Sequence, residues 1–227
     1  MADTEPGPEG HRARLRQRLL DGGPDELPDY ELLEYLLMLA IPRRDTKPLA
    51  KALIARFGGL PGVLTAEPEA LARIKGVGET AIAAIKIARV AALRLLRRKV
   101  SDRPILSGWQ ALLDYLQADM AHGLGERFRV LHLNARNMLI LDDLMGEGSV
   151  DEAPVYVRNV IARALELGSV SLILVHNHPS GDPRPSRADI EITRKLAEAA
   201  KLLDVTIHDH LVIGTSGHSS MRALGLI

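Results

Sequence analysis

A short stretch in the C-terminal half of the chain has the residue types and spacing of a metal site. His176 and His178 stand two residues apart after an apolar run, and Asp189 follows a loop rich in proline and glycine. Side chains at positions i and i+2 of extended chain point to the same side, so both imidazoles can reach one ion. Two histidines and one carboxylate leave a fourth tetrahedral position open for water, as a catalytic zinc site requires.

The elements around these residues predict how they come together. Residues 170–175 form a continuous apolar run, which predicts a buried strand that ends beside His176. A helix is predicted over residues 186–203, with Asp189 in its first turn and Ser186 as a capping residue. A His-x-His pair alone is usually not a metal site, and Ser-x-x-Asp alone is more often only a helix cap. The prediction therefore depends on the whole string.

The remaining pattern divides the chain into two parts. Residues 1–10 are expected to be flexible, and residues 11–100 have helical periodicity broken by glycine and proline, which predicts a small all-helical domain. Residues 101–104 are predicted to be a linker. The segment 105–227 combines helices with short apolar runs, of which residues 205–213 are predicted to be the final strand. The predicted fold class is α/β (α+β): a helical domain followed by a mixed β-sheet covered by helices.

Composition excludes several classes of protein and site. The 227 residues include no cysteine, so disulfides and cysteine-ligated zinc are excluded. No apolar run reaches the roughly 20 residues of a membrane span. The first ten residues are acidic and rich in proline and glycine, unlike a signal peptide. A cytoplasmic protein without a membrane partner is expected.

A second motif lies near the end of the helical half. Residues 74–81 have the pattern of a helix-hairpin-helix module, whose glycines let backbone N–H groups approach a DNA phosphate. Residues 71–100 carry 8 basic and 1 acidic side chains. Lys75, Gly76 and Gly78 are therefore candidates for weak duplex-DNA binding without sequence preference. A Gly-x-Gly turn is also common between helices, and such modules also dock proteins, so these alternatives stay open.

The string around the metal candidates resembles a known family. His176-x-His178, seven residues and Ser186-x-x-Asp189 are similar to the JAMM signature of the MPN-type (JAB) zinc metallopeptidases. The fuller run HNHPSGDP, with the later Asp209-His210, resembles the RadC branch, and the resemblance covers nearly the whole chain. It implies an MPN/JAB-like, cytidine-deaminase-like fold with one Zn²⁺ per chain, bound by His176, His178 and Asp189.

The same resemblance implies two catalytic residues. The JAMM pattern includes an upstream glutamate where a helix or loop meets a strand, and Glu126 fits that position. Glu126 would then act as general base toward a water molecule that the metal activates. Ser186 would donate a hydrogen bond to the oxyanion of the tetrahedral intermediate. Glu147 and Glu152, in a predicted turn, are the alternatives for the base.

The last predicted strand carries another pair with the ligand spacing, His208-x-His210. The resemblance covers His210 but not His208. The pair is expected to support the site structurally, with an accessory metal as the alternative.

The expected function is zinc-dependent hydrolysis of a peptide or isopeptide bond in an unidentified protein or peptide substrate. The alternative is a DNA-associated RadC-like protein, an accessory in repair or recombination, whose metal site is not proteolytic. A nuclease is disfavoured, because one site with two histidines and one aspartate lacks the carboxylate-rich arrangement of two-metal nucleases.

Overall fold

The chain divides into two compact units, the first ending at Ala92 and the second beginning at Leu93. A computed structural model describes residues 8–23, 25–148 and 155–227. The boundary between the units falls inside helix α6 (Glu79–Ser101), and the predicted linker at 101–104 includes the last residue of that helix and the turn after it. Of the segment expected to be flexible, residues 1–7 lie outside the described residues, and residues 8–10 begin the first helix.

The first unit is built from helices, as its periodicity predicts. They are α1 (Pro8–Asp21), α2 (Asp29–Ala40), α3 (Lys47–Phe57), α4 (Leu60–Thr65), α5 (Pro68–Ala72) and the start of α6. The apolar faces of α2 to α6 meet around Leu37, Leu53 and Leu71, which are fully buried. Helix α4 was not predicted, because Pro61 suggests a stop. A proline in the first turn of a helix is tolerated, since the N–H it lacks would have no partner there.

The second unit contains a five-stranded sheet. Its elements are a 3₁₀ helix (Ile105–Gly108), α7 (Trp109–Met120), β1 (Arg127–Leu133), β2 (Leu139–Glu147), α8 (Val157–Glu166), β3 (Ser171–Asn177), α9 (Arg187–Lys201), β4 (Thr206–Gly214) and β5 (Gly217–Ser220). The strand order is β2-β1-β3-β4-β5. Only β3 and β4 are parallel, and the other neighbours are antiparallel. This mixed sheet confirms the predicted fold class.

The strand predicted at residues 205–213 is present as β4, but the prediction that it is the final strand was wrong. Strand β4 is followed by a tight turn and by β5, which pairs antiparallel with it from Gly214↔Gly217 to Leu211↔Ser220. Strand β5 consists of Gly-His-Ser-Ser, so it carries no alternation of apolar and polar residues. This strand forms through backbone pairing with β4, and no local sequence pattern predicts it.

Helices cover both faces of the sheet. Alternate residues of β3 point to opposite sides, so Ile173 and Val175 pack in the cluster with α7, while Leu172 and Leu174 pack in the cluster with α8 and α9. All seven residues of β3 are buried. The strand that carries the metal candidates is thus the centre of the unit.

Among the described residues, no helix is long and apolar enough to cross a membrane.

Candidate metal centre

The end of β3 positions both histidines. His176 is almost completely buried and follows the alternation of Leu172 and Leu174, which places it on the α9 face. His178 lies just beyond the strand, where its backbone N–H donates to the carbonyl of Ile213 at 2.9 Å. The loop then turns back at Gly181, whose φ of +86° is strained for any other residue.

The first turn of α9 positions the carboxylate. The backbone N–H of Asp189 donates to Ser186 Oγ at 3.2 Å, and the backbone N–H of Ser186 donates to Asp189 Oδ2 at 2.7 Å. This reciprocal capping box begins the helix. The cap therefore has two roles, because it starts α9 and also holds the Asp189 side chain in one orientation.

These side chains converge on one point. His176 Nε2 lies 2.9 Å from His178 Nε2, and the two nitrogens lie 3.2 and 3.4 Å from the oxygens of Asp189. His178 Nδ1 lies 2.8 Å from the carbonyl oxygen of Asp182, which can only accept, so the Nδ1–H donates and Nε2 presents a lone pair when the ring is neutral. A set of electron-pair donors this close together suits a cation at their centre. The residues present therefore fit a metal ion.

Charge at the site is shared between Asp189 and the histidines. Burial opposes ionisation of Asp189, but hydrogen bonds with His176 and His178, which form when these rings also carry a proton on Nε2, outweigh it and hold the pKa of the carboxyl well below its usual range. The hydrogen bond with Asp189 in turn raises the pKa of His178, against the effect of burial. The carboxylate is therefore ionised at neutral pH, and protons compete with a metal ion for His178.

Glu126 joins this group. It lies directly before β1, and its carboxylate and the ligand atoms of His176, His178 and Asp189 are all within 4.8 Å of one another. Of the two alternatives for the base, Glu147 is exposed at the end of β2 and does not belong to this cluster. Glu152 lies outside the described residues.

The backbone around Glu126 is held by Asn177, which the sequence reasoning missed. Asn177 Oδ1 accepts from the backbone N–H of Arg127 at 2.9 Å, and its Nδ2 donates to the carbonyl of Gly125 at 3.1 Å. The Asn177 side chain is fully buried. One sequence signal could have identified Asn177: it is a polar residue that stands between two candidate ligands at the end of a predicted buried strand.

The pair His208-x-His210 does not converge on one site. His210 is fully buried, and its Nε2 lies 2.8 Å from His176 Nδ1, whereas His208 Nε2 lies 2.9 Å from Asn137 Oδ1. Burial lowers the pKa of His210 well below its ordinary value. The pairing of β3 with β4 shifts register between Leu172 and Ile173, so the simple i, i+2 rule does not apply here.

The candidate DNA-binding residues lie in the turn between α5 and α6. Gly76 has a φ of +96°, and Lys75 and Gly78 are exposed. The guanidinium of Arg44, which the sequence reasoning missed, lies against Gly76, 3.1 Å from where a β carbon would stand. The Lys86 side chain makes a hydrogen bond inside the first unit, where its Nζ donates to the carbonyl of Ala66 at 2.6 Å.

The second unit has a mixed sheet with helices on both faces, and a cluster of His-x-His and aspartate lies at the end of its central strand. These features define a JAB-type fold with a candidate metal site. The chain belongs to the RadC family: residues 106–226 match the RadC-like JAB domain, and residues 10–83 match the UPF0758 N-terminal domain.

Two relatives are similar over nearly their full length. A UPF0758 protein of Rhodobacter capsulatus is 53% identical over 213 residues, which cover 94% of this chain and 100% of that protein. A UPF0758 protein of Ruegeria pomeroyi is 51% identical over 217 residues, which cover 96% of this chain and 97% of that protein. The similarity therefore extends through both units.

Proposed function

We propose that this chain is a zinc-dependent peptidase of the JAMM type, which hydrolyses a peptide or isopeptide bond. The observation that carries the proposal is the convergence of His176, His178 and Asp189 beside Glu126, with all four ligand atoms within 4.8 Å of one another. Two imidazoles and one carboxylate are a common ligand set of catalytic zinc. Membership of a family with a JAB domain is compatible with hydrolase activity.

The bound metal would supply Lewis acidity, which polarises a carbonyl and lowers the pKa of water from about 15.7 toward 7. Glu126 would take the proton of the attacking water and pass it to the leaving amine. The Ser186 hydroxyl accepts from Asp189 N–H, so its own proton is available to an oxyanion at the site. Asn177 would keep Glu126 in place through its bonds to the adjacent backbone.

A peptide-library experiment tests the proposal. The zinc-loaded chain is incubated with a proteome-derived peptide library that also contains lysine-linked isopeptides, and new termini are identified by mass spectrometry. We expect cleavage that stops with a chelator and returns when zinc is added back. A library that is unchanged under all three conditions, with zinc stoichiometrically bound, would contradict a peptidase and favour a non-proteolytic metal site.

We propose DNA binding as a second function, located in the first unit. Gly76 adopts a backbone conformation that favours glycine, and the Arg44 guanidinium lies against it with exposed Lys75 next in the chain. Two cations beside an open glycine turn suit a phosphate group. Arg12 supports this arrangement, because its Nη2 donates to the carbonyl of Arg44 at 3.1 Å.

Charge reversal in this turn is expected to weaken duplex binding by the full-length chain. Lys75→Glu and Arg44→Glu should each lower the affinity for all sequences alike and reduce the salt slope by about one. The measurement is fluorescence anisotropy of a labelled duplex over a salt series. Lys195→Glu, which reverses an exposed lysine in the second unit, is the control and should bind like the parent. Equal binding by all four proteins would exclude the α5–α6 turn as the DNA contact.

A further inference from the structure

A chain of three buried side chains continues behind the proposed metal ligand His176. His176 Nδ1 lies 2.8 Å from His210 Nε2, and the other ring nitrogen of His210 contacts the hydroxyl of Thr193. The Thr193 hydroxyl also contacts the backbone carbonyl of Asp189, one turn back in α9. His210 and Thr193 are fully buried, and His176 is nearly so. We infer that Thr193 and His210 hold the proton of His176 on Nδ1, so that its Nε2 lone pair faces the metal position.

The direction of this chain follows from its last member. A backbone carbonyl can only accept a hydrogen bond, so the single proton of the Thr193 hydroxyl points to the carbonyl of Asp189. The thioether of Met221, 3.5 Å from the same hydroxyl, is also an acceptor. In either case the proton is directed away from His210. Thr193 Oγ1 must then accept, and His210 Nδ1 must donate.

The remaining steps are forced by the number of protons on each ring. A neutral imidazole has one N–H, so His210 with its proton on Nδ1 presents a lone pair at Nε2. That lone pair accepts from His176 Nδ1–H, which lies 2.8 Å away. His176 then has no proton on Nε2, the nitrogen that faces His178 and Asp189. The opposite direction would put a proton on Nε2 and block metal binding.

The two proposed histidine ligands are therefore oriented by different means. His178 donates directly to the carbonyl of Asp182 at 2.8 Å, whereas His176 depends on two side chains from β4 and α9. Thr193 and Asp189 lie on the same helix, so α9 supplies one proposed ligand and also the residue that sets the tautomer of another. Thr193 and His210 are positioning residues, and they do not touch the metal position.

This inference rests on the proposed metal site, and its test separates the two. Zinc affinity is measured by competition with a chelator for the parent, Thr193→Val, Thr193→Ser and His210→Phe. Loss of the partner behind a metal-binding histidine typically costs about 10- to 100-fold in affinity. We expect a loss of that size for Thr193→Val and His210→Phe, and near-parental affinity for Thr193→Ser, which keeps the hydroxyl. His132→Phe removes a buried histidine that contacts Ser169 instead, and it should bind zinc like the parent.

The tautomer of His176 is read directly from ¹⁵N NMR of the metal-free chain at pH 8. We expect the Nδ1–H form in the parent and in Thr193→Ser, and a shift toward Nε2–H in Thr193→Val. An Nε2–H form in the parent, or parental zinc affinity in both Thr193→Val and His210→Phe, would overturn the inference. If the parent binds no zinc but shows Nδ1–H, the proposed function fails while the inference stands. Thr193→Val replaces the hydroxyl with a methyl group, so it keeps the shape of the side chain in the core.

Discussion

Replacing Glu126 with glutamine is expected to leave zinc bound and to slow hydrolysis by roughly 10²- to 10⁴-fold, the usual cost of losing a general base. The amide has nearly the same shape as the carboxylate, but it cannot accept a proton at neutral pH. Because Asn177 holds the backbone on both sides of Glu126, the substitution should not disturb the loop. The rate is measured on a substrate found in the peptide library, and bound zinc is measured by elemental analysis.

Glu147→Gln is the matched control, because Glu147 is an exposed glutamate outside the cluster. It should cut at the parental rate. If Glu147→Gln is inactive while Glu126→Gln cuts normally, the base has been assigned to the wrong glutamate. If Glu126→Gln instead loses its zinc, Glu126 is a fourth ligand. The site is then closed, which is the property of a structural metal rather than a catalytic one.

Removing a proposed ligand is expected to abolish stoichiometric zinc. The parent should retain about one ion per chain, while His176→Ala and Asp189→Ala should lose most of it, because each leaves only two of the three proposed protein ligands. The measurement is elemental analysis after dialysis against a weak chelator. His208→Ala should retain zinc, since His208 contacts Asn137 and not the cluster. Full zinc in a His176→Ala/His178→Ala double variant would reject these ligands.

Acid should remove the metal from the parent in the same experiment. Histidine binds a metal only when neutral, and Asp189 raises the pKa of His178 above its ordinary value of about 6.5. A raised pKa means that the proton is bound at higher pH, so zinc affinity should fall as the pH drops through that pKa. Asp189 stays ionised over this range, because its pKa is held well below the usual one. Zinc occupancy that is constant between pH 8 and pH 5 would argue against histidine ligands.

Local patterns were sufficient for the elements closest to the site. The apolar run before His176 predicted a buried strand, and the structure has β3 there with every residue buried. Ser-x-x-Asp predicted the start of a helix, and the capping box forms at Ser186. Such signals are readable because they depend on residues within a few positions of one another. The predicted strand and helix place His176, His178 and Asp189 close together, and the ligand spacing is itself a local pattern.

Strands and contacts that depend on pairing with another segment of the chain could not be predicted from local patterns. Strand β5 is polar and exists because it pairs with β4, so its sequence resembles a loop. The contact of Arg44 with Gly76 joins residues 32 positions apart in the chain. In each case the deciding interaction is made with residues outside the few neighbouring positions that a sequence pattern covers.

The sequence by itself indicated the family, through its resemblance to the RadC branch, and it predicted the α/β class and the candidate ligands His176, His178 and Asp189 from residue type and short-range spacing. Only the tertiary structure decided how these residues are held. Asn177 bonds to the backbone of Arg127, next to Glu126 and 50 residues earlier than Asn177, and His210 reaches His176 across 34 residues. The register shift between β3 and β4 also directs His208 and His210 to different partners. Hydrogen bonds between distant residues depend on the sheet that brings them within reach, and no local pattern encodes them.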